Sequence, residues 1–428
     1  MDEITERFRN AITCGIGEAI YLQRQNRSHD FSTEILRAIR KNLALDPQCE
    51  GDRSGYLVDL VDESKSKAFM IKKLVSKLTE VNRNKWDINQ LLNVARELYV
   101  RYETDAIRQA ITDAYVHLQN KENPWVGQDV VLKILGMEGL HIIAKKRGTE
   151  IRKDKSEWED KYIIEQFQKE NPQIKVMKII QKWALTDIDI KAYLKAIDES
   201  REMKLLKARK PITTYEAIAA NIQRLKVVPI GPRWISKISE NDFLKLVHDF
   251  EGETERIKQE KYLRIFARRK YPGSYEKIFK LAKMRKNKED RLIEFACESL
   301  SHFMADDLRD FAIKKIAQVK KPCDYLPLLK SNYRKGDSKL LCEVIARNTS
   351  YDSLHQLCWS IISIYENVKT TECKRPLELL YRRLNCSIHR SDLLDIMIEN
   401  NVLSKKLMAE IKFDSNQEIR KKWKLLTK

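Results

Sequence analysis

Glycine and proline are scarce: 12 and 10 in 428 residues, against usual shares of about 7% and 5%. Few turns interrupt the chain, and long stretches are open to helix. The apolar-polar alternation of a half-buried strand is also scarce. Lys226-Val227-Val228-Pro229-Ile230 comes nearest, and proline cuts it. No apolar run approaches the roughly 18 residues of a membrane span. The opening Met1–Arg7 lacks the charged-then-apolar pattern of a secretion signal. Eight cysteines, at 14, 49, 297, 323, 342, 358, 373 and 386, lie mostly within apolar helical patterns and make no disulfide framework. The expected setting is therefore a reducing cytoplasm, with no membrane partner. No GxxxxGK[ST] phosphate loop, HExxH metal helix or GxSxG nucleophile elbow occurs, so no cofactor is expected.

Positive charge is abundant. Lys and Arg number 81 against 62 Asp and Glu, a net of +19. Such an excess favours an acidic partner, of which nucleic acid is the commonest. It also arises as plain surface charge in a Lys-rich protein.

One local pattern recurs: an acidic or polar turn, an apolar-Arg pair, then apolar positions at helical spacing. It appears at Asp414-Ser415-Asn416 before Ile419-Arg420, at Asp306-Asp307-Leu308-Arg309 and at Asp105-Ala106-Ile107-Arg108. Short polar side chains at such turns can cap a helix start. Recurrence along a helical chain predicts stacked hairpins near 40 residues each. The expected fold is all-α, a right-handed α-α superhelix of HEAT-like repeats, most regular over 290–428.

Ile4, Phe8, Ile12, Ile16 and Ile20 predict one helix to about Gln25, and Ser32–Leu43 a second. Asp46–Ser54 reads as a loop, with Gly51 as its turn. Helices are expected over Tyr56–Asp62, Lys67–Thr79, Ile88–Arg101 and Asp105–Gln119. Gly136 and Gly139 mark either a turn or a close helix approach. Charges crowd Lys145–Lys161, a candidate loop or solvated helix between halves. Lys175–Ala184 and Asp189–Asp198 follow, then Thr213-Thr214 as an N-cap before Tyr215, and a break at Pro229–Pro232. From Asp242, helices of about 12–16 residues are expected to alternate with short turns. The expected division is an N-terminal helical-repeat half over 1–147, a charged helical middle over 148–240 and C-terminal repeats over 241–428.

Asp46-Pro47-Gln48-Cys49-Glu50-Gly51 followed by Tyr56-Leu57, Gly136-Met137-Glu138-Gly139, and Asp414-Ser415-Asn416 before Ile419-Arg420 together resemble an uncharacterised bacterial family of HEAT-repeat proteins. The resemblance spans nearly the whole chain in patches. It implies an α-solenoid and no particular reaction.

Candidate chemistry is thin. Cys386-Ser387-Ile388-His389, with Cys373 upstream, offers half a zinc site. A tetrahedral site needs four ligands, and no second pair at suitable spacing follows, so a packed Cys and a capping His are expected and no metal. Asp187-Ile188-Asp189 reads as a helix N-cap. Trp183, Trp234 and Trp423, with Asp187 close to the first, bear comparison with DNA glycosylases built from HEAT-like repeats, which act on alkylated bases.

The richest clue is Tyr262–Arg291, where 11 Lys or Arg face three acids for a local net of +8. Arg264, Arg268, Arg269, Lys270, Lys277, Lys280, Arg285 and Lys286 are candidate phosphate contacts, with Leu263 and Phe266 as packing. Lys145, Lys146 and Arg147 are a candidate extension. Tyr262, Tyr271 and Tyr275 are candidate stacking platforms for bases. The expected function is a non-enzymatic binding module whose basic face takes DNA or RNA. The alternatives are a scaffold for an acidic protein partner and a glycosylase.

Overall fold

A computed structural model describes residues 2–78, 84–118, 123–154, 156–203, 213–224, 231–287 and 289–427. Helices dominate, and no strand occurs among the described residues. The strand-like 226–230 lies outside them. The contacts gather into two units: Met1–Ala208 with Met408–Lys428, and Arg209–Leu407. Neither 147/148 nor 240/241 separates these units.

In the first unit, Asp2 caps the opening helix by accepting from the Thr5 N–H at 2.9 Å. The expected single helix is two, Glu3–Cys14 and Glu18–Gln25. Gly15 breaks it in the left-handed conformation at φ +73°. Phe8 and Ile12 before the break and Ile16 and Ile20 after it nonetheless stay buried. The break has a tertiary cause. The Ser415 N–H donates to the Gly15 carbonyl at 2.8 Å, and a Cβ on Gly17 would lie 2.0 Å from the Glu410 carbonyl oxygen. Only glycine admits the closing segment there.

The Asp46–Arg53 loop is internally fastened. Asp46 accepts from the Gln48 and Cys49 N–H groups, and buried Arg53 joins Glu50 to the Thr13 carbonyl. Gln90 donates to the carbonyls of Ala38, Ile39 and Lys41, closing the end of the helix Ser32–Arg40.

Gly136 and Gly139 fill both roles foreseen for them. Gly136, at φ +56°, turns the chain between the helices Gln128–Leu135 and Met137–Lys153. Gly139 lies against the Val131 carbonyl. The second helix runs through the crowded charges to Lys153, because Arg147 and Gly148 are core residues. A Cβ on Gly148 would meet the Asp189 carbonyl oxygen at 1.8 Å, which seats this helix on Ile188–Met203.

The recurrent motif does a repeated job. Ile107, Leu308 and Ile419 are buried, while Arg108 and Arg309 reach forward to Glu138 and Asp337. Asn416 caps the final helix Gln417–Leu426.

In the second unit, Thr214 caps Tyr215–Gln223 and Ser239 caps Glu240–Gly252. The helices that follow are more varied than expected, from the 4 residues of Leu329–Asn332 to the 17 of Tyr351–Asn367. A second device recurs here. Lys261 donates to the Ile222 and Arg224 carbonyls, and Lys277 to those of Phe250 and Glu251. Arg347 donates to the Ile316 and Ala317 carbonyls, and Arg383 to those of Ile345 and Asn348. Each cation satisfies the orphan carbonyls at the end of an earlier helix and sits at its negative pole.

Candidate nucleic-acid interface

The basic segment covers the end of Arg256–Phe266, a turn, the helix Glu276–Ala282 and the approach to Leu292–Leu300. Leu263, Phe266, Ile278, Phe279 and Leu281 are buried. Because they anchor both helices, the intervening cations are displayed on a fixed frame.

Those cations divide by what holds them. Arg264 pairs with Glu260 at 2.8 Å and lies over the Phe295 ring. Arg269 donates to the Ile238 carbonyl, pairs with Glu240 and covers the Phe243 ring at 4.0 Å. Lys277 is spent on helix-end carbonyls, and Lys286 pairs with Asp324. These four stabilise the unit and have little freedom to meet a phosphate.

Arg268, Lys270, Lys280, Lys283 and Arg285 are exposed. Lys270 and Lys283 rest on the Phe303 and Phe279 rings, at 5.2 and 3.5 Å, with their charge still at the surface. Arg268 faces the half-buried carboxyl of Glu298, whose pKa burial raises while Arg268 opposes the rise. Lys280 and Arg285 have no side-chain partner among the described residues. Among the described residues the outward-facing set is thus five, with Arg268 partly offset by Glu298, narrower than the sequence implies.

Two stacking platforms are corrected. Tyr262 and Tyr271 are 3% and 0% exposed and belong to the aromatic core around Phe250 and Phe266. Tyr275 is half-buried and donates to Asp307 at 3.0 Å.

The three cations of the first unit are also mostly committed. Arg147 is wholly buried, bonded to Glu150, Glu157, Glu159 and the Trp158 carbonyl. Burial opposes its charge, but Glu159 and Glu150 outweigh that and raise its pKa. Arg147 therefore has no surface for a phosphate. Lys146 donates to the Leu118 carbonyl and Glu150. Lys145, 3.5 Å from Asp187, alone stays largely exposed.

Asp187 caps the helix Ile188–Met203, accepting from the Asp189 and Ile190 N–H groups, as its position implies. Burial raises its pKa, but those bonds and Lys145 override it, and the net shift is downward. Asp189 pairs with Arg152 at 2.6 Å. Trp183 packs edge-on against His141. Neither carboxylate is poised as a base.

A cleft of about 770 Å³ in the first unit was not foreseen. Trp125 and Trp158 line it, edge to face at 5.4 Å, with exposed Tyr162 beside them. Asp129, Glu159 and Asp160 supply carboxylates, and Lys133 a cation. The buried Oε1 atoms of Gln128 and Gln166, both cleft residues, accept no hydrogen bond from the described residues. The available signal was context. Trp125 follows Pro124 in a turn and Trp158 sits between acids, neither in an apolar stripe.

No family model matches the chain, and a comparison with curated proteins found no significant match.

Proposed function

We propose that the chain is a binding module of the α-solenoid class that takes nucleic acid through the second unit's basic face. The observation that carries this reading is the exposed set Arg268, Lys270, Lys280, Lys283 and Arg285, with Lys280 on Glu276–Ala282 and the others in the turns that follow two helices fixed by buried apolar residues. Five exposed cations on one short segment can displace condensed counterions from a phosphate backbone.

The solenoid part rests on packing order within the second unit. Arg256–Phe266 packs on Leu292–Leu300, Asp337–Arg347 on Lys374–Tyr381, and Tyr351–Asn367 on Ser387–Glu399. Each pairing skips one helix, as stacked hairpins require. Each cation-to-carbonyl bond reaches back 26 to 39 residues, about one hairpin.

Band shifts with random duplex and single strands test the reading. Retention at low salt is expected. If all five cations contact phosphates, log affinity falls against log salt with a slope of about −3.5 to −4.5. Binding that ignores salt points instead to an apolar protein interface, and no retention at low salt defeats the nucleic-acid reading.

One observation favours a second reading, release of alkylated bases. Such bases are planar cations, and a cleft of two indoles, a phenol and carboxylates suits a planar cation. This moves the candidate groups from Asp187 and Trp183 to Asp129, Asp160, Trp125 and Trp158. Freed base from methylated duplex, abolished by Trp158→Ala, is the supporting result.

A further inference from the structure

The loop before Ser387–Glu399 brings a cysteine and a histidine together, and a neighbouring helix adds a second histidine. Cys386 occupies the N-cap position of that 13-residue helix, and His389 stands in its first turn. The Cys386 Sγ and His389 Nδ1 are 3.0 Å apart. His355, from Tyr351–Asn367, places its ring 4.6 Å from that of His389. One ligand-type atom from each of the three lies within 4.8 Å of the others. Cys373, noted with the pair in the sequence, is not in this group.

Sequence spacing missed the third ligand because His355 stands 31 residues before Cys386 and on another helix. The two helices pack directly on each other. Leu357, Cys358, Ile361, Leu393, Leu394 and Met397, all fully buried, fix their register. The group is therefore held by the core rather than by a loose loop.

We propose that His355, Cys386 and His389 form a three-ligand site for a zinc-class divalent ion, with one coordination position facing solvent. A thiolate with two imidazoles is a borderline-soft set, suited to zinc and poorly suited to magnesium or calcium. Tetrahedral zinc holds sulfur at about 2.3 Å and nitrogen at about 2.0–2.1 Å, which separates such ligands by roughly 3.5 Å. The pair at 3.0 Å opens by about half an ångström to reach that, within a side-chain rotation.

Burial shows which side is open. Cys386 and His389 are 3% and 4% exposed, whereas His355 is half-buried and Trp359, edge-on to His389, is 60% exposed. An ion enters past His355 and Trp359, and its fourth ligand is water or a group from a partner. Three protein ligands with an open position is the arrangement of reactive rather than purely structural zinc.

The test is zinc titration of the full-length, reduced, metal-stripped protein against a chromophoric chelator. One equivalent is expected to bind, with a rise in melting temperature. Cobalt is expected to give a sulfur-to-metal charge-transfer band. His355→Gln, at the half-buried position, is expected to keep its helical spectrum and weaken zinc by about 100-fold or more, since even outer-shell changes cost about 10–100-fold. Cys386→Ser should abolish the cobalt band, while Cys49→Ser, at an exposed cysteine elsewhere, should leave stoichiometry and band intact. Absence of stoichiometric zinc binding overturns the proposal, as does folded His355→Gln that binds zinc like the parent.

Discussion

The Nζ of Lys277 sits 2.6 Å from the carbonyl oxygen of Phe250, across 27 residues of sequence. A lysine in the most basic stretch of the chain thus serves the end of an earlier helix. Hydrogen bonds to charged groups contribute about 1.5–3 kcal/mol, so Lys277→Met is expected to destabilise the second unit on that scale. Chemical denaturation measures it, and nucleic-acid affinity per folded molecule should be unchanged.

Charge removal from the outward set has the opposite signature. Replacing Arg268, Lys270, Lys280, Lys283 and Arg285 together by Gln should leave the melting temperature nearly unchanged, because their charges do not hold the fold. Low-salt retention of nucleic acid should disappear. Equal losses of stability and binding would return these residues to the structural class.

Arg147 bears on folding alone. Its removal strands Glu159, which is 2% exposed, without its partner. Breaking a buried pair by deleting one member costs about 3–5 kcal/mol. Arg147→Ala is expected to fall in that range by urea denaturation, and Lys145→Gln to be near neutral.

His302 predicts a pH dependence. Burial depresses its pKa below the ordinary 6.5, against a backbone bond to the Ala267 carbonyl that raises it. Below 6.5 the unfolded chain gains a proton at this site before the folded chain does. Its contribution is therefore fully present above pH 6.5 and is lost as pH falls from there through the depressed folded value. His302→Gln should flatten the stability profile in that acidic window. An unchanged slope would show that His302 titrates normally.

Two helical glycines should respond oppositely to alanine. At Gly148 the added Cβ meets backbone at 1.8 Å, so the helices must part; overpacking of this kind costs about 1–3 kcal/mol or more. At helical Gly55 nothing lies within 4 Å, and alanine should stabilise by about 0.5–1 kcal/mol. Melting curves of the two variants decide it.

Helix positions were legible wherever one apolar stripe and one polar cap coincided, as at Thr214 and Asn416. The break at Gly15 was not, because its apolar spacing continues through it and its cause lies some 400 residues away at Ser415. Local composition likewise flagged the charged face but not its occupancy. Whether a lysine is free or bound depends on carbonyls from another hairpin, as for Lys261 and Lys277. His355 joined Cys386 and His389 only through helix packing, which ligand spacing along one segment cannot reveal.

The Gly15–Ser415 and Gly17–Glu410 contacts set an order of events on the ribosome. Everything from Arg209 to Leu407 emerges between the two halves of the first unit. Early helices such as Glu3–Cys14 must wait, their docking surface bare, while the second unit is made and can fold. Loop-closure entropy grows only with the logarithm of the intervening length, and an already folded insert shortens the effective span further. The time taken to synthesise Arg209 to Lys428 therefore sets the least time for which the nascent first unit stays open to chaperones and proteases.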